Sequence, residues 1–413
     1  MKTLVNIFHR PCNDGWLSAY MTLLNTIFDI KDLDKIVKNI ENNLVSLEDN
    51  NNILKEHWLN ALYLFENKDK WLNENTDYIL FIWMQPYFDK LITDNKLDLK
   101  KVTNFIKSKV ENNILRSIDK IIETDIVIDY IPLDSDILSE SEILIVDHHD
   151  WNYNKIEKIK YDYLEKNIKI QPYYNQDTCG TGVYLESWII QNLNNYMKDY
   201  KDNFARFNYI MNWICASDIF VFNNINRSEA IAISKYFKNK IDLKDFFLGL
   251  SYILLNGFSL NSLYEEEWNN LIKEIEIYNI IKTHYIETFL NKNRPFIKIF
   301  EFYDNYRNLI LKFPITELPV FEFNELSSDF FDLFDSPIIW FINISTNPQT
   351  WKLNLNMSIR GKGWDLAQKI AQFFWWNWHR KAAWCSIDYE MFENIIIRSY
   401  NDIDDINNIK LSI

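Results

Sequence analysis

Three short apolar stretches end in residues that carry chemistry, and this pattern restricts the fold more than any other feature of the chain. Thr3 to Phe8 runs into His9, Asp125 to Asp129 (DIVID) ends in Asp129, and Ile143 to Asp147 (ILIVD) is followed at once by His148 and His149. Short continuous apolar runs bounded by polar residues suit strands buried on both faces, as in a parallel sheet. Parallel strands need right-handed crossovers, so the C-terminal ends of these runs would gather along one edge of the sheet, where open α/β folds bind ligands. The expected fold class is α/β, and 413 residues with 47% hydrophobic content fill more than one core.

The rest of the chain divides around that sheet. His9 to Gly15 reads as a turn and Leu17 to Phe28 as a helix. Between about 32 and 115, Lys, Asp, Glu and Asn surround apolar positions at helical spacing, as in His57 to Phe65, which predicts a helical insertion. Two helices are expected over 180 to 222. The expected organisation is a first, sheet-containing domain over 1–222, a helical connector over 223–293 and a smaller α+β domain over 294–413. Within the last, candidate strands are Phe296 to Phe302, Leu309 to Phe313, Pro337 to Ile344 and Leu353 to Arg360, followed by a helix from Asp365 to Phe374.

Charge and cysteine usage narrow the partners. Forty-four basic against 58 acidic residues give a net charge of -14, which opposes binding to long nucleic acid, because that binding neutralises phosphates with Lys and Arg. Cys12, Cys179, Cys215 and Cys385 lie far apart without a CxxC pair, so neither a disulfide framework nor a four-cysteine zinc module is expected. With no apolar run near the roughly 20 residues of a membrane span and no long apolar N-terminal stretch, a soluble cytoplasmic protein without a membrane partner is expected.

Four of the six histidines sit in tight polar clusters: His9, His148, His149 and His379. In His9-Arg10-Pro11-Cys12-Asn13-Asp14-Gly15, the His, Cys and Asp could face one ion from a single loop. Together with Asp129 and Asp147-His148-His149, this brings hard oxygen and nitrogen ligands to neighbouring strand ends. A two-metal phosphoryl-transfer site needs such a set, with one carboxylate able to bridge.

These motifs, taken in order with Leu17-Ser18-Ala19 and with Asp218 in Ala216-Ser217-Asp218-Ile219-Phe220, resemble those of the DHH phosphoesterase superfamily. Ser358-Ile359-Arg360-Gly361-Lys362-Gly363-Trp364-Asp365, running on to His379-Arg380-Lys381-Ala382-Ala383, resembles its DHHA1 substrate-binding domain. The resemblance implies that His9, the Cys12 position and Asp129 hold one divalent ion, usually manganese in this family. Asp14, Asp129, His148 and Asp218 would hold a second, with Asp129 bridging. It further implies that His149 faces the substrate phosphate, that Asp147 orients a neighbouring histidine, and that Arg360, His379 and Arg380 contact substrate. Thr178-Cys179-Gly180-Thr181-Gly182 resembles the family's small-residue turn into a helix, whose free N–H groups could support the site.

Two positions depart from the family pattern. Cys12 stands where most members have Asp; as a ligand it would weaken the first manganese site or tune it toward a softer ion, and as a non-ligand it would leave that ion to two residues and water. Trp375, Trp376, Trp378 and Trp384 stand where the family has glycines that let backbone N–H groups approach phosphate. The whole chain has 7 Gly and 15 Trp, where average usage would give roughly 29 glycines. Either these tryptophans form a new aromatic core or a base-stacking platform, or UGA codons meant as glycine have been read as tryptophan, with Trp16 and Trp364 as further members of the set.

The resemblance implies a cleft between the two domains as active site and a metal-dependent phosphohydrolase acting on a short oligonucleotide or cyclic dinucleotide. A pyrophosphatase-like relative and a non-catalytic nucleotide-binding protein are the alternatives, and a homodimer is left open.

Overall fold

The computed structural model describes residues 2–9, 13–26, 33–48, 53–56, 59–68, 76–84, 97–109, 118–124, 142–164, 169–185, 201–219, 222, 225–240, 242–256, 265–293, 298–303, 309–317, 338–346, 353–361, 367, 382–388 and 395–399. In chain order the elements are β1 (Lys2–His9), α1 (Asn13–Thr26), α2 (Leu33–Asn43), β2 (Leu44–Leu47), α3 (Ile53–Glu56), β3 (Leu59–Glu66), β4 (Thr76–Met84), α4 (Leu99–Lys109), β5 (Ile118–Thr124), β6 (Glu142–Asp147), α5 (Asp150–Leu164), β7 (Lys169–Tyr174), α6 (Gly180–Tyr184) and α7 (Lys201–Asp218). There follow α8 (Arg227–Lys238), α9 (Leu243–Asn256), α10 (Glu265–Asn293), β8 (Lys298–Tyr303), β9 (Leu309–Glu317), β10 (Ile338–Thr346), β11 (Leu353–Gly361), β12 (Ala382–Asp388) and β13 (Ile395–Ser399). The chain splits into two units, Met1–Asp218 with Phe222–Ile275, and Ile219–Val221 with Glu276–Ile413.

The first unit holds a seven-stranded sheet in the order β2-β3-β4-β1-β5-β6-β7. β1 lies mid-sheet, parallel to β4 and β5, and β6 and β7 continue the parallel run. β2 and β3 join antiparallel beyond β4, so the sheet is mixed. Every residue of β1 from Thr3 to His9 is buried, as a strand flanked on both sides requires. At the β7 edge, Pro172 is accommodated because a residue without an N–H weakens an edge ladder least.

The segment from 32 to 115 is not a helical insertion. It alternates helices with β2, β3 and β4, and β4 is a direct neighbour of β1. Ile79 to Met84 are all buried, as are Leu62, Tyr63, Leu64 and Phe65. With both faces of these strands covered, the apolar run carries no two-residue alternation and matches a helical pattern equally well. The strand expected at Asp125 to Asp129 lies outside the described residues, and the partner of β1 on that side is Ile118–Thr124. Its internal Lys120 is accommodated by an ion pair with Glu142 at 3.3 Å.

The second unit holds a six-stranded sheet in the order β12-β11-β10-β9-β8-β13. Four of these strands, β8 to β11, coincide closely with the expected ones. The helix expected at Asp365 to Phe374 lies outside the described residues apart from Ala367. No helix among the described residues is long and apolar enough to cross a membrane.

Two buried phenols in the first unit give an alkaline limit to its stability. Tyr20 is fully buried with its hydroxyl 2.7 Å from Ser251 Oγ, and burial raises its pKa well above the ordinary 10.0, the hydrogen bond to Ser251 offsetting part of the rise. Tyr184 is raised in the same way, with Thr22 offsetting part. A group whose folded pKa lies above its unfolded value contributes stability that is fully present below the unfolded pKa and is lost as pH rises beyond it. Melting temperature is therefore expected to fall as pH rises above about 10, with phenolate absorbance from these two residues appearing only on unfolding. Their ionisation near the ordinary value in a folded chain would refute this.

Candidate metal centre

The site is built at the C-terminal edge of the parallel strands. β1 ends in His9, and α1 begins at Asn13, so that Asp14 lies in the first turn of a helix rather than in a loop. Asn and Asp favour turns and helix starts alike, which is why the sequence alone reads this segment as a turn. The helix begins so close to the end of β1 that a Cβ on Gly15 would collide with the carbonyl oxygen of His9. Asn13 Nδ2 donates to the carbonyl oxygen of Ser234 at 2.6 Å and meets its hydroxyl at 2.9 Å, tying the start of α1 to α8.

Asp14 is fully buried, and its carboxylate is held by backbone. Oδ2 accepts from the Gly180 N–H at 2.6 Å and Oδ1 from the Thr181 N–H at 2.9 Å. The Thr181 hydroxyl donates to the Asp14 carbonyl at 3.0 Å and also meets Ser18 Oγ at 2.9 Å. The small-residue turn thus serves a side chain of the protein: its N–H groups fix the direction of a carboxylate. A Cβ on Gly182 would run into the Thr178 side chain, so glycine there lets the turn close.

β6 delivers the histidines. Asp147, its last residue, places Oδ1 2.9 Å from His149 Nδ1 and accepts the His149 backbone N–H at 3.4 Å. This contact fixes the ring of His149, so the histidine that Asp147 orients is the second of the pair. The His148 and His149 ring centroids lie 4.3 Å apart, and His9 meets His149 edge-on at 6.3 Å. His148 Nε2 lies 3.8 Å from Asp14 Oδ2 and 3.5 Å from Asp218 Oδ2, the latter brought in by the last residue of α7.

Asp14, His148 and Asp218 therefore converge, with one ligand atom from each lying within 4.8 Å of the others. Two carboxylates and an imidazole, two of the three side chains buried, leave negative charge in a poorly solvated place, which a cation would neutralise. Oxygen and nitrogen donors at this separation fit a divalent ion such as manganese. Cys12, Asp129, His379, Arg380, Trp364, Trp375, Trp376 and Trp378 lie outside the described residues. Arg360 stands in β11 of the second unit, opposite Ile339 and Ala382, and Trp384 in β12 opposite Ser358. Trp16 is a core residue, 7% exposed, its ring edge-on to Trp83 at 4.7 Å and to Phe246 at 4.9 Å.

No family model and no curated protein matches the chain. Among solved structures it is similar to one described as "Crystal structure of an uncharacterized protein from Helicobacter pylori G27", at 11% identity over 98% of this chain and 97% of that one. With a TM-score of 0.26, that likeness is too loose to bear on fold or function.

The cysteines hold the feature that sequence reasoning missed. Cys179 and Cys215 form a disulfide with Cα atoms 5.2 Å apart, contrary to the expectation from their spacing. Thirty-six residues separate them, and only the packing of α6 against α7 brings the sulfurs together. Cys179 is also the N-cap of α6, its Sγ accepting from the Gly182 N–H at 3.3 Å.

Proposed function

We propose that the chain is a metal-dependent phosphohydrolase of the DHH/DHHA1 type, hydrolysing a phosphoester or phosphodiester of a small nucleotide such as a short oligonucleotide or cyclic dinucleotide. The observation that carries this reading is the convergence of Asp14, His148 and Asp218 beside an Asp147–His149 pair at the ends of parallel strands. Asp14, His148 and Asp218 would hold one manganese ion, and His9 with the Cys12 position another, Asp129 being shared between them. When bound, such ions polarise a phosphoryl oxygen and acidify a bound water.

The chain's own groups do the rest. The Gly180 and Thr181 N–H groups keep the Asp14 carboxylate aimed before any ion or substrate arrives, so little reorganisation is needed. Asp147 holds Nδ1 of His149, fixing the ring that would face a phosphate oxygen. Arg360, His379 and Arg380 would pair with the substrate's phosphates by charge-assisted hydrogen bonds. A net charge of -14 favours such small substrates over long nucleic acid.

The test is a panel of linear and cyclic dinucleotides and inorganic pyrophosphate, assayed with manganese. Diester hydrolysis faster than pyrophosphate hydrolysis is expected, with metal content and activity lost together in Asp129→Ala, because a bridging carboxylate sets the separation of two ions. Full activity in that variant would remove the two-metal reading. A preference for pyrophosphate would move the protein to the pyrophosphatase-like alternative, and tight nucleotide binding without turnover to the non-catalytic one.

A further inference from the structure

Asp14 belongs to a second group of possible ligands. Its carboxylate and the sulfurs of Cys179 and Cys215 offer three donor atoms that lie within 4.8 Å of one another. Cys179 is fully buried, Cys215 is 9% exposed and Asp14 is fully buried. We propose that the Cys179–Cys215 disulfide is reducible and that its dithiol form, with Asp14, is a site for a soft divalent ion of the zinc class.

The chemistry of the three donors differs from that of the neighbouring group. Two thiolates and one carboxylate select zinc, cadmium or cobalt, whereas His148 and Asp218 with the same Asp14 suit manganese. Zinc–sulfur bonds of about 2.3 Å in tetrahedral geometry hold two sulfurs farther apart than a disulfide does, so the ion enters only after reduction. Cys179 sits at the start of the short helix α6 and Cys215 on α7, so the two sulfurs come from separate elements, and the proposal requires these to move apart slightly once the disulfide is reduced. Burial disfavours two bare thiolates beside a carboxylate, and a dication removes that cost.

A water-soluble phosphine supplies the reduction. It attacks one sulfur and breaks the S–S bond; water then delivers its oxygen to phosphorus, giving the phosphine oxide, and its two hydrogens leave Cys179 and Cys215 as thiols. The aquated metal ion displaces both thiol protons to solvent on binding, and water is the expected fourth ligand.

The test uses the full chain and cobalt(II), whose thiolate complexes show a near-ultraviolet charge-transfer absorption that oxygen and nitrogen ligands do not give. The phosphine-reduced protein should develop that absorption, zinc should abolish it, and the unreduced protein should lack it. The absorption should survive in a Cys12→Ser, Cys385→Ser double variant and in His148→Ala, and disappear in Cys215→Ser. In the reduced wild-type chain, zinc should also protect Cys179 and Cys215, but not Cys385, from alkylation mapped by peptide mass, a readout that needs no variant to fold. Resistance of the disulfide to phosphine, absence of the absorption after reduction, its persistence in Cys215→Ser, or equal alkylation with and without zinc would each overturn the proposal. None of these readouts involves hydrolysis, so an inactive protein on the nucleotide panel would leave this site standing, and a failed cobalt titration would leave the hydrolase reading standing.

Discussion

Asp14→Ala is expected to lower manganese affinity on the order of a hundredfold or more and to abolish hydrolysis with it, because the change removes a donor from the Asp14–His148–Asp218 group. Asp14 differs from its neighbours in doing two jobs. Its oxygens also satisfy the N–H groups of Gly180 and Thr181, and a buried donor left unpaired costs about 1–3 kcal/mol. Against this, removing one of two nearby carboxylates relieves repulsion in the metal-free chain, so the net loss of stability is expected to be smaller than two full penalties. Asp14→Asn keeps the shape but turns one acceptor into a donor facing a donor, and should weaken ion binding with a milder effect on folding. Manganese titration followed by the spin resonance of free ion, run beside urea unfolding, separates the two jobs. Unchanged manganese affinity in a folded Asp14→Ala protein would remove this residue from the centre.

Trp16→Gly is expected to destabilise the first unit by about 3–5 kcal/mol, the usual cost of emptying a large aromatic site in a core. Glycine inside a helix adds about 1 kcal/mol. The Trp16 ring fills the space between Trp83, 3% exposed, and Phe246, fully buried, meeting both edge-on. Gly15 cannot take over that volume, since it has no room for even a Cβ. This packing separates Trp16 from Trp375, Trp376, Trp378 and Trp384, which on the proposed reading stand in place of phosphate-binding glycines. Replacing those four by glycine should improve diester hydrolysis and leave manganese binding unchanged. The urea midpoint of Trp16→Gly reads the first effect; a midpoint equal to wild type would return Trp16 to the recoded set. The codons give the companion result, UGG at position 16 and UGA at the other four.

The strands that could be read from the sequence are those whose ends carry the chemistry. β1 and β6 are short, apolar and closed by His9 and Asp147, and they appear within a residue or two of the expected bounds. β3 and β4 were hidden because both of their faces are covered, which erases the alternation that marks a strand. β5 was hidden for the opposite reason: Lys120 and Glu123 interrupt its apolar residues, and only the partner on β6 explains Lys120. In the site, ligand atoms of Asp14, His148 and Asp218 lie close together. The disulfide between Cys179 and Cys215 and the bond from Asn13 to Ser234 join residues far apart in sequence, and no local pattern announces such pairs.

The central place of β1 has a consequence for synthesis. The ribosome makes this strand well before its ladder partners, β4 and β5, which begin only at Thr76 and Ile118. Until β4 is made the emerging chain carries an apolar strand with both edges open, and until β5 is made one edge stays open, a form that pairs readily with other chains. Asp218, which completes the ion pocket, emerges later still. Fragments ending before Ile118 should therefore collect in the insoluble fraction.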